Sequence, residues 1–70
     1  MSLSDIYRIF EQRRRDLINI LEHNKHMELG KQHQLYGAVL EIETFLKTIE
    51  HFRIKEQQEE KFKLKKHPQN

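Results

Sequence analysis

The stretch from residue 35 to residue 52 constrains the fold most, because apolar residues recur there at helical spacing for about five turns. At about 100° per residue, Ile42 and Phe45 lie along one edge of an apolar stripe, and Val39 and Leu46 lie along the other edge. The stripe covers roughly 140° of the helix circumference. A seam against one neighbouring helix needs only the first and fourth heptad positions. A stripe this broad therefore predicts a helix that packs against more than one other helix.

The N-terminal part of the chain predicts a second amphipathic helix. Ser2 or Ser4 can cap its start by accepting a hydrogen bond from a free backbone N–H. Asp5 in the first turn suits the positive end of the helix dipole. The apolar residues that follow at the first and fourth heptad positions are Leu3, Ile6, Phe10, Leu17 and Ile20. We expect this second stripe to be broad as well, because further apolar residues lie on both of its flanks.

A turn is expected between the two helices. The segment 22–26 is polar, and Gly30 can take the left-handed conformation at a helix end. A short connection makes the two helices antiparallel neighbours, with facing positions that sum to about 58. The fold class predicted is all-α, an antiparallel two-helix hairpin. We place helix one at about residues 3–25, the turn at about 26–31 and helix two at about 32–58 or longer, within a hairpin of residues 1–56.

Chain length and cysteine content limit how such a hairpin is stabilised. A chain of 70 residues seldom buries enough apolar surface to be comfortably stable by itself. It has no cysteine, so it forms neither a disulfide nor a thiolate metal site, which fits a reducing cytosol and leads us to expect a cytoplasmic location. The longest apolar run, residues 36–40, is far shorter than a signal sequence or membrane span, and we expect no membrane association.

Broad stripes on a small chain predict dimerisation into a four-helix bundle. If a homodimer covers about 600–800 Å² of further apolar surface, the gain is on the order of 15–20 kcal/mol before the entropy of association. The residues expected in the core or the dimer interface are Ile6, Phe10, Leu17, Ile20, Leu21, Leu35, Val39, Ile42, Phe45, Leu46, Ile49 and Phe52.

Residues 57–70 are expected to form a charged, fraying extension of helix two, because the apolar spacing decays after Phe52. Residues 53–70 hold six basic and three acidic side chains, so the excess positive charge of the chain lies there. Because of this charge asymmetry, the alternative function is that of a small nucleic-acid-binding protein. The residues expected to contact nucleic acid in that alternative are Arg15, Arg53, Lys61, Lys63, Lys65 and Lys66.

Catalytic and metal-binding chemistry is not expected. His23, His26 and His33 lie near the turn, and imidazoles at this spacing can share a zinc ion, but the sequence contains no motif such as His-Glu-x-x-His. A two-helix hairpin also has no concavity of its own to shift carboxylate pKa values. We expect no catalytic residue, metal site or cofactor, and interpret the chain as a small homo-oligomerising protein-interaction or adaptor module with a protein partner.

Gly37 is unusual because a glycine inside a helix costs close to 1 kcal/mol relative to alanine. One explanation is that Gly37 lies in the first turns of helix two, where fraying makes glycine inexpensive. The other is that glycine permits the close approach of a neighbour such as Leu21. The sequence leaves both explanations open.

Overall fold

The computed structural model describes the backbone of residues 1–66 and the side chains of residues 1–61. Helix α1 spans Leu3–His23 and helix α2 spans Leu29–Lys66. The two helices pack against each other, and the described residues contain no strand. The start of α1, Ser2 to Ser4, lies beside Arg53 and Glu60 late in α2, so the helices run antiparallel. The prediction of an all-α two-helix hairpin is confirmed.

A capping box starts α1. The backbone N–H of Asp5 donates to the Ser2 hydroxyl oxygen at 3.1 Å, and the Ser2 N–H donates to the Asp5 carboxylate at 3.1 Å. Two backbone donors that have no partner within the helix are thereby satisfied. Of the two serines expected to cap the helix, Ser2 is the one that does so.

The turn lies earlier than the sequence pattern indicates. α1 ends at His23, and the side chain of its C-cap residue Asn24 donates to the Ile20 carbonyl at 2.8 Å. α2 starts at Leu29, and the backbone N–H of Gln32 donates to the Glu28 carbonyl at 3.0 Å. Gly30 is therefore inside the first turn of α2, and no glycine in the described range has a positive φ. The prediction of a left-handed Gly30 at a helix end is wrong, because Asn24 already ends α1.

The core lies between the middle of α1 and the first half of α2. Leu17 is buried against the α2 residues Val39, Ile42 and Leu46. Three contacts between the helices mark the register: Phe10 with Phe45, Arg14 with Glu43, and Tyr7 with Arg53. The positions in each pair sum to within three of the expected value of about 58. Register follows from the apolar pattern because slipping one helix would expose the core residues to water.

α2 is much longer than α1. With 38 residues against 21, it extends about 57 Å, whereas α1 extends about 32 Å. Because the start of α1 lies level with residues 53–60, the helix continues to Lys66 past the end of the hairpin. Residues 67–70 of the expected tail lie outside the described residues. Neither helix, as far as it is described, has an apolar stretch long enough to cross a bilayer.

Gly37 faces open space. A methyl group placed on it meets no atom within 4 Å, leaving aside the helix's own nearby backbone. Close approach of a neighbour such as Leu21 is therefore excluded as the reason for this glycine. Gly37 is the ninth residue of α2, more than two turns inside the helix, so fraying offsets little of its cost relative to alanine.

Candidate interaction surfaces

The hairpin covers only the middle of each apolar stripe. Of the residues predicted to lie in a core or dimer interface, five are buried: Leu17, Val39, Ile42, Leu46 and Ile49. Four more are half-buried: Ile6, Phe10, Leu21 and Leu35. The remaining three, Ile20, Phe45 and Phe52, are exposed. One partner helix is too narrow to cover either stripe, as the sequence pattern predicts.

Four large exposed apolar side chains lie on one side of the hairpin. They are Ile9, 54% exposed, Ile20, 40%, Phe45, 52%, and Phe52, 49%. We call these four residues the Phe45 face. An exposed patch of large apolar side chains on a chain this small is typical of an interaction site.

Helical spacing and one observed contact place these four residues on the same side. Ile9 and Ile20 are separated by 11 positions and Phe45 and Phe52 by seven, which in each case is within about 20° of a whole number of turns. The rings of Phe10 and Phe45 stack, with centroids 5.6 Å apart. This stack joins the exposed edge of α1 to that of α2. Ile9 was not among the predicted interface residues. Its spacing of three helical turns from Ile20 places it on the same side of α1.

A second apolar surface lies on the opposite side of the hairpin. It is a groove of about 290 Å³ between the two helices. We call it the Leu40 groove; it is lined by Ile18, Leu21, Glu22, Tyr36, Val39, Leu40 and Glu43. Tyr36 and Leu40 are the most exposed of its apolar residues, at 59% and 61%. The sequence alone identifies them only as apolar residues off the main stripes, because it does not show which flanks the hairpin leaves open.

Charges differ between the two surfaces. On the groove side, Arg14 lies 3.5 Å from the Glu43 carboxylate and 3.9 Å from that of Glu11, so its charge is shared between both helices. On the side of the Phe45 face, Arg13 and Asp16 are exposed. Neither forms an ion pair with another residue of the described part of the chain. Arg14, Glu11 and Glu43 are therefore paired within one hairpin, whereas Glu22 on the groove side and the charges beside the Phe45 face form no ion pair in the described part of the chain.

Of the basic residues expected to contact nucleic acid, the three with described side chains, Arg15, Arg53 and Lys61, are not brought together. Arg15 lies 3.9 Å from Glu11 and donates to the Gln12 side chain at 3.2 Å. Arg53 donates to Glu50 at 3.0 Å and lies over the Tyr7 ring, 5.7 Å from its centroid. Lys61 is exposed, and the side chains of the other three predicted contacts, Lys63, Lys65 and Lys66, lie outside the described residues.

The histidines near the turn are not gathered into a metal site. His23 donates from Nδ1 to the Asn19 carbonyl at 2.9 Å and so contributes to the end of α1. Among the residues that the structure describes, no group of three His, Cys, Asp or Glu side chains is arranged to hold a metal ion.

One carboxyl group has a perturbed pKa, and it belongs to the helix cap. The backbone N–H and then the hydroxyl of Ser2 hydrogen-bond to Asp5 and hold the pKa of its carboxyl below the ordinary value of 3.8. Arg8, which donates to the same carboxylate at 2.7 Å, acts in the same direction. This perturbation is explained by capping and indicates no chemistry.

Comparison with known proteins finds no match to a family model, to a curated protein or to a solved structure. The functional argument therefore depends on the two apolar surfaces.

Proposed function

We propose that this chain is a small protein-interaction module without catalytic activity, and that it forms a homodimer through the Phe45 face. Two hairpins that bury this face against each other make a four-helix bundle. The observation that supports the proposal is that four large apolar side chains on one side of the hairpin are 40–54% exposed. Soluble chains usually cover such a surface with a partner.

The small core of the hairpin supports the same proposal. Among the described side chains, five apolar ones are buried within it, and none of them is fully shielded from solvent. Full burial of a large aliphatic or aromatic side chain contributes about 1.5–3 kcal/mol. Each residue of the Phe45 face is about half exposed, so its burial in a dimer can add about half of that contribution. Each of these residues occurs in both copies. Dimerisation therefore supplies apolar burial that one copy lacks.

Two matched substitutions on α2 test which surface is used. Phe45 and Leu40 are similarly exposed, at 52% and 61%, but lie on opposite sides of the hairpin. We expect sedimentation equilibrium of the full chain at micromolar concentration to give a mass near twice 8.6 kDa. Phe45→Ser should give the monomer mass, and Leu40→Ser should keep the dimer mass.

Circular dichroism separates dissociation from unfolding in this experiment. If Phe45→Ser loses its helicity as well, Ile9→Ser provides the same test on α1, at a side chain that is 54% exposed. A wild-type monomer that melts cooperatively at high temperature would overturn the homodimer. Dissociation by Leu40→Ser but not by Phe45→Ser would assign the interface to the Leu40 groove instead.

An adaptor role follows if the dimer leaves the Leu40 groove open on both copies. The groove has an apolar lining with Glu22 at its rim, beside the ion pair of Glu43 with Arg14, which suits a protein partner that presents an apolar side chain beside a basic one. Such a partner should shift the Tyr36 resonances in an NMR titration, and Leu40→Ser should abolish that shift. The cysteine-free sequence fits a cytoplasmic location for this role.

Salt dependence separates this function from nucleic-acid binding. A dimer held by apolar contacts should keep its affinity between low and moderate ionic strength. Nucleic-acid binding by Arg53 and the basic C-terminal segment would instead weaken steeply with salt, in proportion to the phosphates contacted. A tight complex with duplex or single-stranded oligonucleotide that disappears in this way would favour the nucleic-acid alternative.

A further inference from the structure

The positions of the charged residues beside the Phe45 face indicate how the two copies of the homodimer are oriented. On α1, Arg13 and Asp16 point within about 40° of Ile9 around the helix. On α2, Lys31 and Glu56, at opposite ends of the hairpin, point within about 40° of Phe45, and so do Glu41 and Glu59. All six charged residues are exposed, and none has an ion-pair partner among the described residues.

We infer that the two hairpins of the homodimer pack in opposite directions, related by a two-fold axis that crosses their long axes between Arg13 and Asp16. The inference rests on the proposed homodimer and adds the orientation of its two copies. In this arrangement α1 of one copy packs on α1 of the other, and α2 packs on α2. Every helix in the four-helix bundle then has antiparallel neighbours, as in common bundles.

The pattern along α1 fits this axis. The point midway between Arg13 and Asp16 is also midway between Ile9 and Ile20. The same rotation therefore brings Arg13 next to Asp16 of the second copy and Ile9 next to Ile20 of the second copy. Charge meets opposite charge and apolar residue meets apolar residue, each of them twice in the dimer.

The pattern along α2 agrees in one pair of charges, Lys31 and Glu56, whereas Glu41 and Glu59 meet no basic residue. Because facing positions in the hairpin sum to about 58, the axis crosses α2 between Glu43 and Thr44. Lys31 and Glu56 lie equally far from that point on its two sides. The rotation chosen from α1 alone therefore places Lys31 beside Glu56 of the second copy.

The opposite orientation matches charges poorly. In that orientation the two-fold axis runs parallel to the helices. α1 then packs on α2 of the second copy, and residues at the same height along the hairpin lie opposite each other. Asp16 then lies level with Ile42 of the second copy and one residue away from Glu41, a like charge, and Arg13 lies level with Phe45 rather than a carboxylate. Like charges across an interface disfavour one arrangement even where favourable pairs add little affinity.

The proposed orientation separates the C-terminal ends of α2. Lys66 lies about 22 residues beyond the axis, or about 34 Å along the helix, and the second copy extends the same distance the other way. The two basic extensions then leave from opposite ends of a rod, about 70 Å apart. A dimer of this shape presents two separate attachment points rather than one paired tail.

Substitution of Asp16 distinguishes the two orientations by the sign of its effect. In the proposed arrangement, Asp16→Lys faces Arg13 of the second copy, and we expect the dimer dissociation constant to rise about tenfold at low salt. Mixing this variant with Arg13→Asp should restore wild-type affinity, because each copy then supplies the charge that the other needs. In the opposite orientation Asp16→Lys lies within one residue of the level of Glu41, and dimerisation should tighten.

Cysteine cross-linking provides a second readout, since the chain has no cysteine of its own. Under mild oxidation, a mixture of Ile9→Cys and Ile20→Cys chains should form a disulfide heterodimer, and neither variant alone should cross-link. Efficient cross-linking of Ile20→Cys with Ala38→Cys chains would overturn the orientation, because these positions share a level in the opposite arrangement. A wild-type monomer in sedimentation would refute the homodimer itself, so the two failures are distinguishable.

Discussion

The ring of Phe45 lies almost flat on the ring of Phe10, with their centroids 5.6 Å apart and their planes inclined by 13°. This stack joins α2 to α1 at the edge of the buried core. The Phe45 side chain remains 52% exposed, so much of its surface is outside the hairpin. The same residue thus holds the hairpin together and forms part of the surface proposed for the second copy.

A double-mutant cycle should detect the stack between these rings. We expect Phe10→Leu and Phe45→Leu to be coupled by about 0.5–1.5 kcal/mol in the free energy of unfolding, because offset aromatic pairs gain this much beyond their buried area. Urea unfolding at one fixed protein concentration measures the coupling, because the change that Phe45→Leu makes to dimerisation enters both sides of the cycle and cancels in the difference. The control is Phe10→Leu with Leu40→Ser, since Leu40 lies on the other side of the hairpin. Equal coupling in both cycles would contradict a specific stack.

Replacing Gly37 should stabilise the protein. Its added methyl group finds no atom within 4 Å, and an alanine costs less backbone entropy in a helix, so Gly37→Ala should gain about 0.5–1 kcal/mol. Thermal melting at fixed concentration measures the gain. Gly30→Ala is the matched control, because Gly30 lies in the first turn of α2, where we expect a smaller gain. A loss of stability in Gly37→Ala would show that a partner approaches the helix closely at this position.

The cap of α1 should respond to acid. The Ser2 hydrogen bonds lower the pKa of Asp5 in the folded chain, so the carboxylate stabilises the folded state above the ordinary pKa of 3.8. That stabilisation should be lost as the pH falls through the lowered pKa. NMR titration of the Asp5 side-chain carboxyl carbon measures the pKa directly. Ser2→Ala removes the hydroxyl but keeps the backbone N–H, so it should move the pKa only part of the way towards 3.8, and an unchanged pKa in this variant would exclude a contribution from the hydroxyl.

The sequence predicts the two helices and their register well, because both follow from repeated apolar spacing. Leu17, Val39 and Leu46 lie where the stripes place them. The turn is less predictable because Asn24 and Gly30 are both ordinary helix terminators, and only the packed structure shows that Asn24 ends α1. A hydrogen bond from its side chain to the Ile20 carbonyl accompanies that choice.

The exposed surfaces are less predictable for a different reason. A broad stripe shows that one partner helix is insufficient, but not which of its flanks remains open. Phe45 was expected in an interface and Tyr36 only beside one, yet the hairpin leaves both exposed, on opposite sides. The difference depends on the rotation of each helix about its axis, which the structure provides and periodicity alone leaves open.

Ile42 should be essential for folding because it is buried in the contact with Leu17, at 8% exposure. Ile42→Asp places an unpaired charge there, which costs about 3–5 kcal/mol, a large fraction of the stability of a small domain. We expect loss of helical circular dichroism and of the dimer mass together. Thr48→Asp is the matched control: it adds the same charge to the same helix at an exposed position and should keep both. Retained helicity and mass in Ile42→Asp would mean that the core does not lie between α1 and the first half of α2.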